Sequence, residues 1–123
     1  MSYWLCADAD DIEDLNVDSW RWGATIALIQ QSDILEAGVE IFGDRMVFAK
    51  IDSCTKLANW FERHVLANLA HGSRIKLDGT ITTEQDDGTF HPGDLAENYG
   101  VDREWLLDFV SFLRQCGGFS TLG

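Results

Sequence analysis

The chain predicts an α+β fold: a helix-rich single domain over residues 1–123, with three main helices at about 19–31, 53–71 and 102–116 and a small antiparallel hairpin at about 74–83. Three observations carry that expectation. Leu57, Trp60, Phe61, His64, Val65 and Leu69 recur at helical spacing, as do Trp105, Leu106, Phe109, Val110, Phe112 and Leu113. Asp78-Gly79 separates two short β-prone segments and can take the paired positive φ angles of a hairpin turn. At 13.8 kDa, surface scaling gives about 6,600 Å² folded against about 20,000 Å² unfolded, enough burial for one core and too little for two.

Tyr3 to Ala7 is apolar and aromatic, which suits a short strand. The run Asp8, Asp10, Asp11, Glu13 and Asp14 then reads as a surface loop. Asp18 or Ser19 can cap a helix from about Trp20 to Gln31, with Trp22, Ile26, Leu28 and Ile29 on its apolar side. Residues 34–51 are ambiguous: Val39, Ile41, Met46, Phe48 and Ile51 fit strand alternation around Gly43-Asp44, and a short helix fits as well. Asp52 or Ser53 opens the next helix, which Gly72 ends. Ile75 to Leu77 and Thr80 to Thr82 form the hairpin, and Asp87-Gly88 marks a further turn. The last helix ends at Gly117-Gly118.

Charge is the strongest compositional feature, with 21 acidic and 9 basic residues and a net charge of −12. It is unevenly distributed. Residues 1–44 carry a net −9, residues 45–77 a net +4, and residues 78–123 a net −7. A surplus of this size cannot all be paired internally and steers basic partners, while it disfavours bare nucleic acid, whose phosphates need cations. No stretch approaches the 18 or more apolar residues of a membrane helix, and the first residues lack the basic start of a secretory signal. Cys6, Cys54 and Cys116 include no C-x-x-C pair, so reduced thiols and a cytoplasmic setting are expected.

Residues 94–116 carry a local pattern. Ala96 supplies a small residue at a helix crossing, Gly100 a turn, and Leu95, Val101 and Leu106 the locking aliphatics. Over these residues alone the chain resembles a helix-turn-helix, which implies a degenerate regulator of that type as one alternative function. The helix that would enter the major groove, however, begins Asp102-Arg103-Glu104 and continues to Asp108, placing carboxylates where phosphates and base edges would sit. The resemblance thus supports a local αα-corner more than DNA binding.

Candidate chemistry is sparse. His64 and His71 lie seven apart on one expected helix, too far to share an ion, so no metal site and no cofactor are expected. The acidic run lacks the glycine of a calcium loop. No phosphate-binding glycine loop or nucleophile elbow is present. Cys54 near a helix start could have a lowered thiol pKa. A small enzyme built from His64, His91 or Cys54 with carboxylates is therefore the second alternative. Trp20 and Trp22 point about 200° apart on a helix, so both cannot face one core, and Trp20 is expected at the rim. The favoured expectation is a non-enzymatic interaction or regulatory module docking a basic protein. Asp8, Asp10, Asp11, Glu13 and Asp14 would steer, and Trp20 with Arg21 would anchor. The apolar face of residues 105–113 is wide enough that a homodimer could bury part of it.

Overall fold

The largest element of the molecule is a sheet that joins the strand expected at Tyr3 to Ala7 to segments expected as loop, left ambiguous or given no element. In a computed structural model, which describes residues 2–32, 39–42, 46–70, 73–76, 81–82 and 100–122, the chain runs β1 (Ser2–Ala7), β2 (Leu15–Asp18), α1 (Ser19–Gln31), β3 (Val39–Phe42), β4 (Met46–Lys50), α2 (Ile51–His64), a 3-10 turn (Leu66–Asn68), β5 (Arg74–Lys76), β6 (Ile81–Thr82), β7 (Gly100–Asp102), α3 (Arg103–Gln115) and β8 (Gly118–Leu122). The strands form two antiparallel sheets, one five-stranded in the order β2-β1-β8-β4-β3 and one three-stranded in the order β6-β5-β7. The α+β class stands. The expectation of a helix-rich domain with one small hairpin does not, because eight strands among the described residues pair into two sheets.

The chain end decides the larger sheet. Gly117 and Gly118 take φ of 68° and 108°, values that side chains disfavour, and so turn the chain sharply out of α3. Gly118 to Leu122 then enter the sheet centre as β8. There Leu5 lies opposite Thr121, and Phe48 opposite Ser120. Thr121 also reinforces the join to β4, its hydroxyl accepting from the Val47 N–H and donating to the Val47 carbonyl.

The first helix follows its sequence cues. The Asp18 carboxylate accepts from the Arg21 N–H at 2.8 Å, capping α1. Trp22, Ala24, Thr25, Ile26, Leu28 and Ile29 are all buried, since α1 touches β1 and β2 of one sheet and β7 of the other. The Asp102 carboxylate caps α3 by accepting from Trp105 N–H at 2.8 Å.

The middle helix departs from expectation at both ends. It starts at Ile51, because β4 runs into it directly with Lys50 as a cap residue that offers no side-chain acceptor. It stops at His64 rather than His71, and a 3-10 turn follows. The reason is tertiary: the Arg103 guanidinium donates to the Leu66 and Leu69 carbonyls at 2.9 and 2.6 Å, satisfying carbonyls that a continuing helix would otherwise have bonded. His71, Gly72 and the Asp78-Gly79 turn lie outside the described residues, although β5 and β6 do pair antiparallel, Ile75 opposite Ile81.

The helix-turn-helix expectation meets a strand. Gly100–Asp102, where the motif needs its turn, is β7 and pairs with β5, Val101 opposite Ile75. Residues 91–99, which include most of the motif's first helix, lie outside the described residues.

The core gathers around Phe109 of α3, whose ring meets Trp22, Phe61, Trp105 and Phe119 at centroid distances of 5.5–6.3 Å. Trp105 also donates its indole N–H to the Thr25 hydroxyl at 2.9 Å, and that hydroxyl donates to the Arg21 carbonyl at 2.7 Å. On the α3 face that a homodimer could help to bury, Trp105, Leu106, Phe109, Val110, Phe112 and Leu113 are all buried within one chain.

Candidate partner-binding surface

Alternation along a strand sends neighbouring side chains to opposite faces of its sheet. On the inner face of the five-stranded sheet Leu5, Val17, Val39, Val47, Ala49 and Phe119 are buried in the core. The outer face carries a different set. Trp4 is 47% exposed, Leu122 61%, Phe48 38% and Met46 37%. Trp4 lies directly opposite Leu122 across the β1–β8 pair, and Phe48 lies opposite Ser120 on the other side of the same central strand. These side chains thus form one apolar group over three adjacent strands. Asn16 and Glu40, both exposed, occupy the flanking edge strands.

None of the four was expected as a site residue. The alternation expected of Met46 and Phe48 is present, and it turns both of them outward while Val47 and Ala49 point inward. The smaller pair fits because α2 starts at the end of this strand and brings Cys54 close above it, the Cys54 thiol 4.0 Å from the Ala49 carbonyl. Large side chains would hold the helix off. The available signal was a strand with two apolar faces, visible in Met46-Val47-Phe48-Ala49.

The five acids expected to steer a partner lie on the loop joining β1 to β2, and all are exposed. The loop is tied down by its backbone. Asp8 N–H donates to the Gly118 carbonyl and Ala9 N–H to the Cys116 carbonyl, each at 2.9 Å. Asp14 closes the far side by accepting from Ala7 N–H at 3.1 Å.

Trp20 and Arg21 are not beside that loop. They lie past the opposite end of β2, which places roughly 10 Å of strand between the two groups. Trp20 is 40% exposed whereas Trp22 is fully buried. Arg21 pairs with Asp18 at 3.3 Å, an exposed ion pair of small energetic weight. Together with Arg74, Gly100, Val101 and Asp102 they line a shallow cleft between α1 and the smaller sheet. A neighbouring hollow presents Asp102, Glu104 and Asp108 around Arg21 and Trp105. This ground mixes both charge signs with the apolar side chains of Leu15, Val101 and Trp105.

Of the residues proposed for an enzyme, Cys54 and His64 do not converge. Cys54 is buried and its sulfur lies 3.7 Å from that of Cys116. His64 is exposed at the far end of the same helix, its ring 5.8 Å from Trp60, and ten residues of helical rise separate it from Cys54 by about 15 Å. His91 lies outside the described residues. The helix start does not lower the Cys54 pKa: the hydrogen bond with Cys116, then burial, push that thiol up. On the outer face, Cys6 is also raised, first by burial and then by the Asp14 carboxylate. Among the described residues no group of three or more His, Cys, Asp and Glu side chains is placed to hold a metal ion. No helix among them is long and apolar enough to cross a membrane.

Comparison with protein-family models, with curated proteins and with solved structures finds no match to this chain.

Proposed function

We propose that this chain is a non-enzymatic protein-interaction module that docks a basic partner on the outer face of its five-stranded sheet. The observation that carries the reading is the group Trp4, Phe48, Met46 and Leu122, exposed on one continuous sheet surface. Exposed apolar side chains scattered singly are ordinary, whereas a contiguous group containing tryptophan is the usual make-up of an interface centre. The acidic loop at the end of the same β1–β2 pair supplies long-range attraction for a cationic partner. The apolar group supplies contact area once the partner arrives. In this division Trp20 and Arg21 are peripheral.

The test is capture from an extract of the source organism by the full chain, at low and at high salt. It is repeated with Trp4→Ala/Leu122→Ala and with Asp10, Asp11, Glu13 and Asp14 amidated to Asn or Gln. The expected result is one specific partner that weakens as salt rises and is lost in both variants, with circular dichroism unchanged and capture retained in Trp20→Ala. A partner held equally by all of these variants, or lost only with Trp20, would remove the outer face from the proposal.

A further inference from the structure

We propose that Cys54 and Cys116 form a buried dithiol that a two-electron oxidant of the hydroperoxide class closes reversibly into an intramolecular disulfide, whereas Cys6 stays outside the reaction. The proposal is independent of the docking surface. Three features of the fold carry it.

The first is juxtaposition. The two sulfurs lie 3.7 Å apart, in van der Waals contact, against about 2.05 Å in a disulfide. Covalent closure therefore asks for less than 2 Å of approach. The second is position. Cys54 stands in the second turn of α2 and Cys116 is the C-cap of α3, helices also joined at the surface by Arg114 reaching Glu62 at 2.9 Å and Asn59 at 3.1 Å. Both segments lead straight into the sheet, Cys54 from β4 and Cys116 into β8, so the thiols approach each other on a braced frame. The third is the turn between Cys116 and β8. Gly118 takes a φ of 108°, and its backbone N–H favours the thiolate form of both cysteines. A Cβ at that position would meet the Asp8 carboxylate at 2.5 Å and the Ala49 carbonyl at 3.1 Å. Cys6 is elsewhere, on β1 opposite Ser120 and on the other side of the sheet.

The chemistry balances with hydrogen peroxide as oxidant. One cysteine, as its thiolate, attacks a peroxide oxygen. The O–O bond breaks and hydroxide leaves, taking up the thiol's proton to become water, while the sulfur becomes a sulfenic acid. The second sulfur attacks the sulfenic sulfur, forming S–S and breaking S–O, and the departing hydroxide takes the second thiol proton to give another water. Two electrons pass from the sulfurs to the peroxide, and the chain loses two hydrogens. Because both thiols are fully buried, the oxidant reaches them only when the fold opens locally. The cross-link would then fix α2 to the turn that holds the acidic loop, since Ala9 N–H bonds to the Cys116 carbonyl and Asp8 N–H to the Gly118 carbonyl.

The test uses the full chain carrying Cys6→Ser. It is exposed to hydrogen peroxide while folded and, in a second arm, during refolding from urea, so that access is not a reason for failure. Remaining thiols are alkylated after denaturation and peptides are mapped without reduction. The expected product takes up no alkyl label where the reduced chain takes up two. It yields a linked peptide pair containing Cys54 and Cys116, and dithiothreitol restores both thiols. In Cys6→Ser/Cys116→Ala no cross-link forms and the linked pair is absent. Two labels surviving in both arms would overturn the proposal, as would oxygen addition without a cross-link or a linkage between chains.

Discussion

Phe119 and Leu122 sit three residues apart on one strand, yet they stand on opposite faces of the sheet and answer to different constraints. Phe119 is fully buried against Phe109 and Phe112, with ring centroids 6.3 and 5.9 Å away, so its volume is set by its neighbours. Leu122 is mostly exposed, opposite Trp4. The same contrast separates Val47 from Phe48 and Leu5 from Trp4. The inner face is thus chosen for packing, and its larger residues lie where the helices allow room. On the outer face the large apolar residues stay exposed, and the docking proposal expects them to contribute little to folding.

Substitution along β8 gives the widest separation between the two faces. Phe119→Ala should cost about 3–5 kcal/mol in denaturant unfolding, whereas Leu122→Ala should change stability by no more than about 0.5 kcal/mol. Comparable losses at both positions would mean that the outer face is also packed, and the docking proposal would lose its ground. The covered side also carries a buried polar link, the Thr25 hydroxyl between the Trp105 indole and the Arg21 carbonyl. Thr25→Val keeps the volume but leaves the indole N–H without its acceptor, and should cost about 1–3 kcal/mol. Thr25→Ser should recover most of that loss.

The smallest effect concerns the open side. Asp14→Asn removes the carboxylate charge that helps raise the Cys6 pKa, leaving the larger contribution of burial in place. The pKa then falls toward the ordinary thiol value, so at a fixed mildly alkaline pH a larger fraction is thiolate and iodoacetamide reacts modestly faster. An unchanged rate would show that burial alone governs this thiol.

Much of the helical framework was legible from residue order. Asp18 and Asp102 cap α1 and α3 through their own carboxylates, and the apolar spacing of residues 105–113 matches the buried side of α3. The Trp20–Trp22 pair divides between rim and core as helical geometry requires. The sheet was harder to read. Leu15–Asp18 looks like the end of an acidic loop and Gly118–Leu122 suggests no element, because four or five residues with mixed polarity have no strong period of their own. Their strand conformation comes from ladders to partners distant in sequence, as when Ala7 pairs with Phe119. Of the expected site, the acidic loop is exposed, but Trp20 lies at the other end of β2 and the apolar group on the outer face was missed.

Residue order by itself determined the acidic character, the α+β class and the positions of the capped helices, because charge, capping and helical period act within a few residues. Only the tertiary structure decided where α2 stops, which side of β4 faces inward and that Cys54 meets Cys116. Each of those outcomes depends on groups brought together across long stretches of chain: the Arg103 guanidinium on the Leu66 and Leu69 carbonyls, the close approach of α2 to Ala49, and the turn at Gly117-Gly118 that carries the last strand into the middle of the sheet. Such contacts leave no periodic trace in either of the segments they join.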